Sequence, residues 1–208
     1  MKIAVINEVS ACQRNIDIIA ALNAVTDAEV LNIGMKESTE EPQLTYIHTS
    51  YMAALLLNAG ACDMVIGGCG TGQGFLNAVL QFPAVTCRLV SDPLDAWLFS
   101  QINGGNCVSL PLNKGYGWAA NINLKYVFEK LFGDPSGAGY PPARAESQAQ
   151  SRKTLERISA VTHKDMLTIL EESDKEILRT IARNQTFMEE LVHASMVDEK
   201  WIEILKKS

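Results

Sequence analysis

A cysteine and a threonine stand among five glycines in residues 67–74, whose sequence is GGCGTGQG. The apolar run at 64–66 predicts a buried strand before this segment, and residues 75–80 predict the start of a helix after it. A glycine loop between a strand and a helix points several backbone N–H groups at one place, which attracts anions. The same field favours the thiolate form of Cys69. The segment therefore predicts a site that removes a proton from a substrate and holds the resulting negative charge.

The spacing in this segment excludes three familiar motifs. A Walker A loop requires a lysine, and none follows Gly74. The dinucleotide motif G-x-G-x-x-G is excluded because a start at Gly68, Gly70 or Gly72 would require its last glycine at Gln73, Phe75 or Asn77. A cysteine phosphatase needs an arginine soon after its nucleophile, but the first arginine after Cys69 is Arg88. The alternative interpretation is a tight turn in which Cys69 is only a small core residue.

The elements that must position this segment follow from the hydrophobic pattern. Short apolar runs predict strands at residues 2–6, 29–33, 64–66, 84–90 and 106–110. Helical patterns cover residues 12–25, 45–59, 75–81, a segment opened by Asp92 as N-cap, and 116–132. This alternation predicts an α/β fold, a doubly wound parallel five-stranded sheet with Rossmann-like α/β/α layers. Ligands bind at the carboxyl ends of such strands, where the Cys69 segment and Glu8 are expected.

The chain changes character after this predicted sheet. Residues 133–142 are rich in glycine and proline and predict the end of the α/β part. Residues 146–208 are charged, poor in glycine and proline, and predict two or three amphipathic helices. We therefore expect an α/β domain at 1–144 and a C-terminal helical extension at 145–208, packed on the α/β part or on a second subunit.

Composition excludes several classes of protein. The 208 residues carry a formal net charge of -6, which argues against binding nucleic acid through phosphate contacts. The sequence has no apolar run long enough for a membrane span and no secretory signal pattern, so a cytoplasmic location is expected. Five cysteines without a Cys-x-x-Cys pair and three scattered histidines predict free thiols and neither a metal site nor a cofactor.

The order of predicted strands, the loop at 69–74 and the segment SQINGGN at 100–106 resemble ribose-5-phosphate isomerase type B and galactose-6-phosphate isomerase. The resemblance covers roughly residues 1–144, and the tail resembles a longer branch known as ribose/galactose isomerase. It implies a cofactor-independent aldose–ketose isomerase that works through an enediolate. In that family the loop cysteine moves the proton between two carbons, which implies Cys69 as the base.

The resemblance also assigns residues that bind the substrate. Thr71, with the loop glycines, would hold the enediolate oxygen. Asn103 would line the substrate, and Glu8 would take the place of an acidic residue after the first strand. Arg144 fits an arginine that binds substrate phosphate from a neighbouring subunit, which implies a homodimer or higher oligomer. The loop glycines concerned are Gly70, Gly72 and Gly74.

Three positions depart from the family pattern. Val9 and Ile102 stand where histidines are usual, the second of which opens the sugar ring, and Tyr140 stands where a phosphate-binding arginine is usual. The departures put a five-carbon sugar phosphate in doubt as the substrate, but not the enediolate chemistry. His48, on the second predicted helix, is a candidate to replace the ring-opening group, with a structural or surface histidine as the alternative.

Two other functions fit the same residues. The lack of the usual histidines and arginine at positions 9, 102 and 140 also fits a non-catalytic sugar-binding or regulatory protein on this fold. A thiol enzyme of another class, such as a covalent transferase, is a third interpretation, although the sequence offers no evident histidine partner for Cys69.

Overall fold

A computed structural model describes residues 1–114 and 117–208 of the chain. In these residues a parallel five-stranded sheet has the order β2-β1-β3-β5-β4. The strands are β1 (Lys2–Asn7), β2 (Glu29–Asn32), β3 (Met64–Cys69), β4 (Cys87–Leu89) and β5 (Cys107–Pro111). The predicted doubly wound α/β fold is therefore confirmed. The order reverses between β1 and β3, the position at which such sheets bind ligands.

Helices cover both faces of the sheet, as the alternating pattern predicts. They are α1 (Asn15–Asn23), α2 (Tyr46–Asn58), α3 (Gln73–Val79), α4 (Pro93–Leu98) and α5 (Ala120–Phe132). Successive residues of a strand point to opposite faces, so Ile3 and Val5 pack with α1, α4 and α5, whereas Ala4 and Ile6 pack with α2 and α3. Asp92 caps α4 by accepting a hydrogen bond from Asp95 N at 2.8 Å, as expected.

Several boundaries differ from the predicted ones. The predicted helix at 116–132 begins as α5 at Ala120, after a 3-10 turn at Gly117–Ala119, and its predicted first residue lies outside the described residues. The predicted strand at 84–90 shortens to β4, at the edge of the sheet. A single π-helical turn at Phe99–Asn103 continues α4.

The C-terminal segment forms five helices over residues 145–208, more than the two or three expected. They are α6 (Ala145–Thr162), α7 (Met166–Glu172), α8 (Lys175–Ala182), α9 (Gln185–Val192) and α10 (Glu199–Lys207). The extra breaks occur at Asp165, Asp174, Asn184 and Asp198, each of which caps the next helix with its side chain. Helices α7 to α10 bury apolar residues in the same cluster as α2.

Candidate active site

The site is built where β1, β3 and β5 end side by side. Asn7 of β1 pairs with Gly68 of β3, and Cys69 of β3 pairs with Pro111 of β5. The register therefore places Glu8, directly after β1, beside Cys69, the last residue of β3. The predicted meeting of these two residues at one edge of the sheet follows from the strand order.

Cys69 is held by backbone hydrogen bonds on both sides. Its carbonyl oxygen accepts hydrogen bonds from Leu112 N at 3.0 Å and from Gly72 N at 3.2 Å. Cys69 is 7% exposed, and its Sγ lies 4.0 Å from Thr71 Oγ1. Thr71 Oγ1 accepts a hydrogen bond from Gln73 N at 3.4 Å, which leaves its own proton to donate elsewhere. The thiol and the hydroxyl thus lie next to each other.

Two glycines let the loop lie against β5. Gly68 has φ +150°, and a Cβ there would overlap the carbonyl oxygen of Leu110. Gly72 has φ +73° and ends the turn before α3, and a Cβ there would lie 2.5 Å from Leu89 Cδ1. A side chain at either position would push the loop off the sheet, because L residues rarely adopt these angles. Because the Gly72 N–H already donates a hydrogen bond to the Cys69 carbonyl oxygen, it is not free to bind a substrate. The role of Gly72 is therefore to shape the loop.

Glu8 is buried although it is an acidic residue. It is 4% exposed and begins a 3-10 turn at Val9–Arg14. Its Oε2 accepts a hydrogen bond from Ser10 N at 2.9 Å, and its Oε1 accepts one from Ser10 Oγ. Each carboxylate oxygen keeps a further acceptor position.

The first turn of α2 forms another side of the site. The ring of Tyr46 would lie 3.3 Å from a Cβ at Gly74, so it covers the loop just after Thr71. His48 Nδ1 accepts a hydrogen bond from Thr45 N at 3.0 Å, completing a capping box. Burial lowers the pKa of His48, an effect that the negative charge of Glu176 on α8 partly opposes. His48 is therefore neutral at pH 7, with its proton on Nε2.

Asn103 and Arg144 lie apart from this group. Asn103 is exposed at the end of the π-helical turn and lines a cavity of about 820 Å³ between β4 and α6. Arg144 is exposed before α6, and its Nε donates a hydrogen bond to Ser147 Oγ at 3.2 Å. Among the hydrogen bonds of the described residues, none joins either side chain to the Cys69 loop. A single chain thus brings together only part of the predicted site.

The structure adds two further facts to the description of the site. Among residues 1–114 and 117–208, no group of three or more His, Cys, Asp or Glu side chains could hold a metal ion. None of the described helices is both long enough and apolar enough to cross a lipid bilayer.

Comparison with known proteins identifies the family. A family model described as Ribose/Galactose Isomerase matches residues 3–131. The chain belongs to this family. No curated protein sequence gives a significant match. Because the family consists of sugar isomerases, the chain is an intramolecular oxidoreductase that acts on a sugar.

Solved structures support the same assignment. A 4-deoxy-L-threo-5-hexosulose-uronate ketol-isomerase complexed with a tartrate is 43% identical, with a TM-score of 0.93, 100% of this chain covered and 98% of that chain. A ribose-5-phosphate isomerase from Vibrio parahaemolyticus is 38% identical, with the same TM-score and coverage. A type B ribose 5-phosphate isomerase from Leishmania infantum shares only the fold, at 19% identity and a TM-score of 0.63, with 77% of this chain covered and 97% of that chain.

In this isomerase, the three residues that differ from the family pattern make contacts within the chain. Val9 N donates a hydrogen bond to Leu44 O at 2.8 Å, and the Val9 side chain packs on the core. Ile102 O accepts a hydrogen bond from Arg152 Nη1 at 2.8 Å. The ring of Tyr140 packs edge-on against Trp97, with 5.1 Å between the ring centroids.

Sequence reasoning missed three residues beside the site of this isomerase: Ser10, Tyr46 and Asn113. Ser10 and Asn113 follow β1 and β5, so their positions after strand ends were a usable signal. Tyr46 gave no such signal, because it reaches Gly74 only through the packing of α2 on α3.

Proposed function

We propose that this isomerase interconverts an aldose and a ketose through an enediolate, with Cys69 as the base. One observation carries the proposal: Cys69 ends β3 beside Thr71, between the ends of β1 and β5. Thiolate Sγ removes a proton from one carbon, and the C–H electrons form the enediolate double bond as negative charge moves onto the carbonyl oxygen. Sγ then returns the proton to the neighbouring carbon.

The residues around Cys69 supply the other parts of this reaction. Thr71 Oγ1 and the backbone N–H groups of Gly70 and Gly74 would stabilise the charged enediolate oxygen, whereas Gly72 would keep the loop in shape. Glu8 would accept a hydrogen bond from a substrate hydroxyl and help its proton move between the two oxygens. Loss of one such stabilising donor typically lowers the rate about 100-fold to 1000-fold.

His48 is the group we propose to act on the sugar ring. Its neutral imidazole carries the proton on Nε2, so it would donate a hydrogen bond to a ring or hydroxyl oxygen. It takes this part because Val9 and Ile102 offer no imidazole.

A sugar acid is the substrate class we favour. The relative at 43% identity is named as an isomerase of a keto-uronate. Tyr140, where the family places a phosphate-binding arginine, packs on Trp97 and leaves Arg144 as the remaining cation of that pair. One arginine matches a carboxylate through two parallel N–H···O bonds. Ribose 5-phosphate is the second candidate, since the relative at 38% identity is named for it.

We further propose that the working isomerase is a homodimer or a higher oligomer. Asn103 and Arg144 are exposed and lie apart from the Cys69 loop of their own chain. In an oligomer they would complete the site of a neighbouring copy, with Arg144 facing the acid group of the substrate.

Proton exchange in deuterated water tests this function. The protein is incubated with 4-deoxy-L-threo-5-hexosulose uronate, ribose 5-phosphate and unmodified aldoses and ketoses, and deuterium at the carbon next to the carbonyl is followed by NMR. We expect exchange with the uronate, and its loss in Cys69→Ala. Cys62→Ala is the matched control, because Cys62 is also 7% exposed but lies before β3, at the opposite end of that strand.

The outcomes separate the alternatives. Exchange that persists in Cys69→Ala would refute Cys69 as the base. Tight binding of a sugar with no exchange for any member of the panel would favour the non-catalytic sugar-binding protein. Exchange with ribose 5-phosphate alone would show that the substrate is a sugar phosphate and not a sugar acid, and would leave the proposed reaction unchanged.

A further inference from the structure

Asn113 spans the site from one side to the other. Its Nδ2 donates a hydrogen bond to the carbonyl oxygen of Ser10 at 2.8 Å. Ser10 follows β1 and Asn113 follows β5, and these strands are not neighbours because β3 lies between them. The bond therefore crosses over the loop that carries Cys69. Asn113 also donates its backbone N–H to Gly70 O at 2.9 Å, so it holds the loop that it crosses.

Gly70 lies beneath this crossing, where a side chain would crowd the Asn113 amide. A Cβ there would lie 3.2 Å from Asn113 Nδ2 and 3.5 Å from Ser10 Oγ. The first distance is tighter than ordinary van der Waals contact, so an alanine would press against the asparagine amide. Gly70 has no positive φ, in contrast to Gly68 and Gly72. Close approach, and not backbone conformation, is what favours glycine here.

Ser10, which Asn113 holds in place, in turn restrains the side chain of Glu8. Its N–H and its hydroxyl each donate to a different oxygen of the Glu8 carboxylate. Two bonds to one carboxylate fix both its position and its plane. The remaining acceptor positions then point in a fixed direction. A bond that holds the Ser10 carbonyl thus also limits how far Glu8 can turn.

We propose that Ser10 and Asn113 are positioning residues for the isomerase reaction. Asn113 ties Ser10 across Gly70, and Ser10 orients Glu8 toward the substrate oxygens above Cys69. The inference rests on the proposed function, because it takes Cys69 as the base and Glu8 as a substrate contact. Its physical basis is that proton transfer requires the reacting atoms close together and aligned, so a small displacement costs much rate.

Steady-state kinetics of Asn113→Ala and Ser10→Ala test the inference on whichever panel substrate exchanges. We expect kcat to fall roughly 10-fold to 100-fold, with KM changing much less, because orientation is lost while the binding groups stay. Ser10→Thr keeps the hydroxyl and should restore most of kcat. Asn23→Ala is the matched control, since Asn23 is exposed at the end of α1 and should leave kcat unchanged.

A double-mutant cycle asks whether the effect passes through Glu8. In a Glu8→Gln background, Ser10→Ala should lower kcat by less than about 2-fold, since the carboxylate that Ser10 orients is gone. Effects that multiply in the cycle would overturn the proposal, as would a wild-type kcat in both single variants. Thermal unfolding of each variant identifies losses that come only from misfolding.

A second measurement does not need turnover. Alkylation of Cys69 by iodoacetamide, followed at that residue by tandem mass spectrometry, should be several-fold faster in Asn113→Ala and in Gly70→Ala, because the loop beneath the crossing is freed or displaced. An unchanged rate in both variants contradicts the inference even if the protein proves inactive on every sugar. Exchange that persists in Cys69→Ala contradicts the proposed function instead, so the two failures are distinguishable.

Discussion

His48 has its protonation state set by its place in the first turn of α2. Nδ1 accepts the Thr45 N–H, and burial disfavours the imidazolium, while Glu176 of α8 favours it. Burial is the larger effect, so the pKa of His48 in the folded protein lies below its usual value of 6.5. The unfolded chain therefore binds a proton at a higher pH than the native protein does. Stability contributed by neutral His48 is present above pH 6.5 and is lost as the pH falls through the folded pKa.

The variant His48→Gln tests whether His48 makes the protein less stable as the pH falls. Glutamine at the same position keeps the capping box, because it also accepts the Thr45 N–H, but it cannot titrate. We expect the free energy of unfolding in urea to fall less steeply between pH 7 and pH 5 in His48→Gln than in the wild type. The difference should be small, because His48 is only half-buried. A steeper fall in the variant would show that Glu176 outweighs burial.

At the scale of single residues, the sequence pointed to side chains that are chemically reactive by their residue type alone. Cys69 and Thr71 stood out because a thiol and a hydroxyl among glycines are informative without any partner. Ser10 and Asn113 could be suspected only from their positions after strand ends and not from residue type, since their hydrogen bond across Gly70 depends on β5 lying next to β3. That neighbour relation belongs to the strand order, which a single sequence does not determine.

Among the elements, β3 extends beyond its prediction. The expected strand ended at Ile66, but the observed one continues through Gly67 and Gly68 to Cys69. Glycine is a poor strand former, so its propensity argued for a loop. Pairing with β1 on one side and β5 on the other outweighs that preference. Cys69 is consequently anchored in the sheet.

Gly67→Ala tests how closely α3 packs on this glycine strand. A Cβ at Gly67 would overlap the buried ring of Phe75, with Cε1 at 2.7 Å. Overpacking of this kind costs about 1–3 kcal/mol, so the urea midpoint should fall. The cost should shrink when Phe75→Leu is present in the same chain, because the smaller side chain leaves room. Equal costs in the two backgrounds would contradict the proposed clash.

At the scale of the whole molecule, the C-terminal helices complete the core of the α/β part. Leu178 and Ile181 of α8 and Phe187 of α9 are buried in the same cluster as Leu55 of α2. Tyr51 of α2 and Ser173 share a hydrogen bond of 2.8 Å. The sequence predicted amphipathic helices in this tail but not the surface on which they pack, because an apolar helix face can pack on any apolar surface. The division into 1–144 and 145–208 stays a prediction.

The separation of Asn103 and Arg144 from Cys69 leads to a test on the assembled protein. If sites are shared between copies, Cys69→Ala and Arg144→Glu damage different halves of one site. A hybrid dimer of the two variants, isolated with two different tags, then contains one site with both defects and one site with neither. Because two-fold symmetry gives each dimer two equivalent sites, the hybrid should have about half the wild-type kcat per dimer.

A second hybrid sharpens this test. Glu8→Gln and Cys69→Ala damage the same half of the site, because the adjacent ends of β1 and β3 of one chain place both residues side by side. Every site of that hybrid has a defect, so its exchange rate should stay at the level of the two parent variants. Recovery in the Arg144→Glu hybrid alone would establish a site built from two copies. Recovery in neither hybrid would contradict sharing and place Arg144 in the site of its own chain.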